Sequence, residues 1–212
     1  MKNKYYILFI LIIPLLALTA QDDKLVQMQN IDAFKKNISE VAEKTTSIQT
    51  SFVQEKYLGI LSESIESKGK MLFKKPNLLK WSYTVPYEYT IVLNGKEVLI
   101  NDEGNVNSFD MSSSKAFTEI NDLIVSTVQG NVLQEKRFNI EYFQSDNRYL
   151  VKLLPKEAHF KKHIEEIHVF FDKNDYTVAQ IRLNEAGGDY TLINFFDKTM
   201  NAPVANEEFQ IR

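Results

Sequence analysis

The sequence predicts a mainly β protein with two or three helices, in which about eleven antiparallel strands close or nearly close into an incomplete barrel. Three observations carry this expectation. Short apolar-alternating runs recur from Thr50 onward, turn-rich connectors separate them at hairpin length, and helical spacing occurs in only two stretches.

The chain opens with "MKNKYYILFILIIPLLALTAQDD". Lys2 and Lys4 precede an apolar run from Tyr5 to Leu18, and Thr19 and Ala20 follow it. This is the layout of a secretory signal, and the shortness of the run and Pro14 argue against a stable membrane span. The expected organisation is a signal peptide over residues 1–20, cleaved after Ala20, and a single exported domain over 21–212. An uncleaved N-terminal anchor is the alternative. No cysteine follows the run, so the mature chain cannot itself be lipidated there as a bacterial lipoprotein.

From about Met28 to Ile48, Met28, Ile31, Phe34, Ile38 and Val41 fall on one face of an amphipathic helix. The pattern then turns to "SFVQEKYL", "GKMLFKK", "LLKWSYT", "YTIVLNG", "KEVLIND" and "NVNSFD", joined by turns such as Asn94-Gly95 and "NDEGN". In "FKKPNLLKWSYTVP" two prolines exclude a helix and leave Leu79, Trp81 and Tyr83 on one face of a strand. A second helix is expected between Ser112 and Gly130, with Phe117, Ile120, Leu123, Ile124 and Val128 on its apolar face. Strands resume at "FNIEYFQ", "RYLVKLLP", "EEIHVFFD", "TVAQIRLN" and "DYTLINFFD". The helices have one obvious place to bury their apolar faces, across the mouth or the concave side of the sheet.

Composition narrows the function. The 212 residues carry 25 Lys plus Arg against 28 Asp plus Glu, a net charge of −3 that does not suit nucleic acid as a partner. With no cysteine, a disulfide framework, a thiolate metal site and a cysteine nucleophile are all excluded. Aromatic residues make up 12% of the chain and fall mostly in strands, where they either fill the barrel or line a cavity in it.

Polar candidates are few. His159, His163 and His168 in "HFKKHIEEIH", with Glu165 and Glu166, offer a superficial H-x-x-x-H metal pair and hence a metal-dependent hydrolase. The alternation through Ile167, Val169 and Phe171 is that of a strand, which breaks the ligand spacing and favours solvated edge residues. "SSSK" at Ser112–Lys115 reads as a helix N-cap rather than a Ser-Lys nucleophile. Asp189 follows Gly187-Gly188 and reads as a turn residue. No nucleophile elbow, dinucleotide fingerprint or P-loop is present, so no enzyme and no cofactor is indicated.

The stretch "GKMLFKKPNLLKWSYTVPYEYTIVLNGKEVLI" resembles the LolA family of periplasmic lipoprotein carriers, in Gly69, Lys74-Lys75-Pro76-Asn77, Trp81, Pro86 and Asn94-Gly95-Lys96. "SFVQEK" and the terminal "FQIR", similar to the family's closing strand, extend the likeness over nearly all of the mature region. The resemblance implies a half-barrel under a helical lid, enclosing a dry cavity for acyl chains. Its lining is then expected from Met71, Phe73, Leu79, Trp81, Tyr83, Ile91 and Leu93 in the first half of the sheet. Phe117, Ile120, Leu123 and Ile124 of the second helix, and Ile167, Val169, Phe171, Ile181 and Leu183 of the later strands, complete it.

The resemblance implies a monomeric, non-catalytic periplasmic carrier without cofactor or metal. Its partners would be lipoproteins or other acylated lipids, an inner-membrane exporter complex and an outer-membrane acceptor. A glycolipid or acylated pigment precursor is the alternative cargo. Leu79 matches an apolar position of the family that contacts the membrane partner. Lys75 stands where the family has the arginine that ties sheet to lid, and a point-donor ammonium implies a differently built lid control.

Overall fold

The computed structural model describes residues 24–95, 97–111 and 136–211. The expected signal segment, the second helix with Phe117, Ile120, Leu123 and Ile124, the "SSSK" stretch and Lys96 lie outside the described residues.

Among the described residues, twelve antiparallel strands form one open sheet. They are β1 (Val26–Gln27), β2 (Ser47–Leu58), β3 (Glu63–Lys74), β4 (Leu78–Val85), β5 (Tyr89–Asn94), β6 (Glu97–Asp102) and β7 (Asn105–Asp110), then β8 (Phe138–Gln144), β9 (Arg148–Pro155), β10 (Ile164–Asp172), β11 (Val178–Glu185) and β12 (Tyr190–Met200). The spatial order is β1-β8-β9-β10-β11-β12-β2-β3-β4-β5-β6-β7. Every one of the eleven strands expected from the sequence is present. The additional strand is the two-residue β1, paired with β8 through Val26 and Gln27 and too short to show a period.

Among the described residues the α-helices are α1 (Ile31–Lys44) and the single turn α2 (Ala158–Lys161). Helix α1 starts later than the apolar spacing suggested. The Asn30 side chain accepts from the Ala33 N–H at 3.0 Å and caps the helix there. Met28 is therefore buried from the linker between β1 and α1 rather than from a helical turn. The end of the chain also differs from expectation. "FQIR" does not close the sheet as a strand; Asn206–Phe209 is a 3₁₀ turn that packs on the outward face of β4 and β5. Lys74 Nζ fastens this segment by donating to Val204 O and Asn206 Oδ1, each at 2.6 Å, and Phe209 is buried.

The inward face divides into two apolar clusters. In the first, Phe34 and Ile38 of α1 pack with Phe138, Val151, Leu153, Ile167, Val169 and Phe171 of β8 to β10. The second joins Phe52, Met71, Phe73, Leu79, Leu93 and Val98 of β2 to β6. Phe52 fits there because its partner in register is Gly69. A Cβ at Gly69 would lie 2.5 Å from Phe52 Cζ and 2.1 Å from Ser82 O, so the ring occupies the space that any side chain would need.

Candidate binding cavity

Between the two clusters, beneath α1, lies a cavity of ≈ 90 Å³. Ile38, Val41 and Ala42 of α1 form one wall, Met71 and Trp81 a second, and Phe171, Val178 and Ile181 a third. In strand order β4 and β10 are five positions apart, about 24 Å in a flat sheet. Residues of both line one small cavity, so the sheet curls strongly around α1.

Four of the expected lining residues, Met71, Trp81, Phe171 and Ile181, reach the cavity. Phe73, Leu79 and Leu93 lie deeper in the second cluster, with Tyr83 and Ile91 packed against it. Ile167 and Val169 are fully packed in the first. Leu183 is half-buried and pairs with Ile167 on the same sheet face. Leu79, the position matched to a partner contact, is 2% exposed.

The lining also contains residues that period-two reading misses. Thr50 pairs across from a bulge in β12, where the register jumps between Phe196 and Thr199. Asp197 has φ of 52°, and the Thr50 hydroxyl donates to Phe196 O at 2.8 Å. The extra residue reverses the alternation, so Lys198 and Met200 turn inward although Phe195 does too. Lys198 Nζ is held by the Thr177 hydroxyl and by Val178 O at 3.2 Å. Nearby, burial and then the adjacent Tyr176 push the Tyr149 hydroxyl up to about 12, which keeps this ring neutral.

Helix α1 is seated at both ends. The Phe34 ring meets Tyr149 at 4.9 Å, Phe171 at 5.4 Å and Tyr142 at 6.4 Å. At the other end Lys75 Nζ, from the β3–β4 turn, donates to Ala42 O at 2.7 Å and Glu43 O at 3.0 Å. These carbonyls belong to the last turn of the helix, where Ala42 O also accepts from the Thr45 N–H at 3.2 Å and the helix dipole favours a cation. Although an ammonium is a point donor, Lys75 engages two carbonyls at once. It joins a turn of the second cluster's strands to a helix packed on the first.

The polar candidates fall elsewhere. His159 lies in α2 and His168 on the outward face of β10, its Nε2 2.9 Å from Glu166 Oε1. Among the described residues no group of three or more His, Asp or Glu side chains could hold a metal ion. Asp189 is a turn residue with a task, because its Oδ1 accepts from Gly59 N at 2.8 Å and ties the β11–β12 turn to the β2–β3 turn.

Comparison with known proteins gives a consistent answer. The family model described as "Outer membrane lipoprotein carrier protein LolA" matches residues 43–212. An outer-membrane lipoprotein carrier protein of Francisella tularensis is 26% identical over 184 residues, covering 85% of each chain. Its counterpart in Francisella philomiragia is 25% identical over 162 residues, 73% of this chain and 71% of that protein. Among solved structures, an uncharacterized conserved protein of Thermus thermophilus superimposes with a TM-score of 0.52 over 85% of this chain and 93% of its own, at 8% identity. That likeness is one of fold.

Proposed function

The chain belongs to the LolA family of outer membrane lipoprotein carriers, and from that premise we propose that it takes the acyl chains of lipoproteins into the cavity beneath α1 and carries them between membranes. The carrying observation is the apolar cavity at the seam of the two clusters, walled by α1, Trp81 and Phe171 and latched by Lys75. Burying one methylene is worth about 0.8 kcal/mol, so a chain of roughly fifteen methylenes gains up to ~12 kcal/mol before the cost of opening the site. That cost is real. Pockets for small ligands typically span about 300–1,000 Å³, and the present ≈ 90 Å³ holds only part of an acyl chain. Loading therefore requires α1 to move off the second cluster, and Lys75 is the lid control because its two bonds must break first. No bond of the cargo is made or broken.

In this reading residues 1–20 are the export signal, residues 21–212 act as one periplasmic monomer, and cargo passes from an inner-membrane exporter to an outer-membrane acceptor. Leu79 meets a partner only in the opened state, since it is buried in the closed one. The test is mass spectrometry of the protein purified from periplasm. Co-purified acylated peptide or lipoprotein is expected. Protein that is always empty and takes up no fluorescent fatty acid overturns the proposal, and a bound glycolipid reassigns the cargo.

A further inference from the structure

The longest hairpin of the sheet carries its most exposed apolar side chains at its tip. Strands β2 and β3 pair without interruption from Ser47–Lys74 to Leu58–Glu63, but β4 joins β3 only from Lys68 onward. On this side Glu63–Ser67 runs five residues, about 16 Å, past the end of β4, while on the other side β12 stays paired with β2 as far as Tyr57. At the tip Ile60 is 93% exposed and Leu61 56%. The turn that presents them is ordered: Leu61 N donates to Leu58 O at 3.1 Å, Ser62 N to Gly59 O at 3.2 Å, and Gly59 N to Asp189 Oδ1 at 2.8 Å. Exposed Ile65, Val85 and Tyr87 stand behind the tip on the same side of the sheet's rim. Tyr57 and Tyr190 stack at its base with ring centroids 5.1 Å apart.

The same rim is basic beyond the β11–β12 turn. That turn is bonded to the tip through Asp189 and to the α2 segment through Ala186 N, which donates to His163 O at 3.2 Å. The α2 segment and the start of β8, joined by a Lys156 N to Arg137 O bond of 2.9 Å, carry Lys136, Arg137, Lys156, Lys161 and Lys162 against Glu157 and Glu165. Acidic residues of the rim lie both at the tip, where Glu63 is exposed and Asp189 is bonded to Gly59, and at its other end beyond β4, where Glu88, Asp102 and Glu103 stand.

We propose that this rim is a membrane-contact surface, in which Ile60 and Leu61 enter the interfacial layer of a bilayer and the cations of residues 136–162 rest on anionic headgroups. A small, exposed apolar point suits lipid better than protein. Two side chains present far less than the ~1,200 Å² that stable protein interfaces bury, whereas entry into a bilayer needs only apolar atoms at the right depth, with tyrosines at the interface and basic groups behind. The molecule then sits tilted, with the β6–β7 turn raised. This contact is independent of the cargo reading, since it involves neither the cavity nor α1.

The test uses empty mature protein and lipoprotein-free vesicles of phosphatidylcholine with and without phosphatidylglycerol. Flotation with the anionic vesicles is expected, weakening as salt is raised. Ile60→Ser combined with Leu61→Ser should lower partitioning by at least about tenfold, and Lys161→Gln with Lys162→Gln by about fivefold per lysine, both with unchanged thermal stability. Because the chain has no cysteine, Leu61→Cys takes a single environment-sensitive dye, which should shift to the blue on vesicles. Wild-type protein that floats with no vesicle, or a serine variant that floats as well as wild type, overturns the proposal. So does a tip that matters only for transfer to a purified acceptor protein, which assigns it to a protein contact instead.

Discussion

The two apolar clusters differ in how they are covered. The β8–β10 cluster is a finished core, with Phe34 and Ile38 of α1 pressed into it and three aromatic rings around Phe34. The β2–β6 cluster holds a comparable apolar stock, yet among the described residues no helix packs its length, and Trp81, Tyr83, Ile91 and Ile100 remain only partly buried. The difference lies in how α1 meets each of them. Free energy is concentrated where α1 meets the first cluster, and α1 meets the second only through the cavity and the Lys75 latch.

The sharpest way to break that contrast is Phe34→Ala. It should cost about 3–5 kcal/mol in urea unfolding, because the ring is buried against three others and the void cannot collapse onto a sheet. A loss under ~1 kcal/mol would mean that α1 is not part of the core. Gly69→Ala tests the packing of the second cluster. Its Cβ meets Phe52 and a backbone oxygen, so a loss of about 1–3 kcal/mol is expected, and a neutral result would show that Phe52 is free to move.

Lys75→Ala probes the latch with a smaller effect. Two partly exposed charge-assisted bonds to a helix end should be worth about 1 kcal/mol of stability. The informative readout is kinetic: fatty-acid exchange should speed up in Lys75→Ala and slow in Lys75→Arg, whose planar fork spans the same carbonyls. Equal exchange rates in all three proteins would remove Lys75 from lid control.

The smallest effect concerns pH and the outward face. Burial holds the His168 imidazole below its ordinary 6.5, outweighing the Glu166 carboxylate beside it, with Lys152 and Arg182 acting in the same downward sense. Burial pushes the Glu166 carboxyl up, but the His168 contact and Lys152 outweigh it and leave it below 4.5. Both groups bind protons more readily unfolded, so stability should fall as pH drops below about 6.5, first through His168 and then through Glu166. His168→Gln should flatten the first part of that fall, measured as melting temperature against pH. An unchanged profile would mean that His168 titrates alike in both states.

Much of this was legible in the sequence, for physical reasons. Strands such as "LLKWSYT" and "EEIHVFFD" bury one face, so alternation reports them directly, and Asn94-Gly95 and Gly187-Gly188 mark turns because Gly95, Gly187 and Gly188 all have positive φ. The cavity was half legible. Trp81, Met71, Phe171 and Ile181 have the right parity, but Lys198 and Met200 reach it only through the Asp197 bulge, which periodicity cannot see. The spacing of Ile38 and Val41 marks a helical face but carries no sign of which strands it meets, because that contact spans most of the chain. The Lys75 latch depends on the meeting of a turn and a helix end more than thirty residues apart in sequence, so periodicity carries no trace of it and only the family resemblance around Lys74-Lys75-Pro76-Asn77 points to that position.

The central claim is that acyl chains enter the seam beneath α1. Trp81 is the only tryptophan and it lines that seam, so its fluorescence reports the site without labelling. Titration with a fatty acid brominated along its chain should quench Trp81 to saturation, with non-brominated fatty acid competing. Fatty acid that binds while Trp81 emission stays unquenched would place the cargo elsewhere and contradict the account.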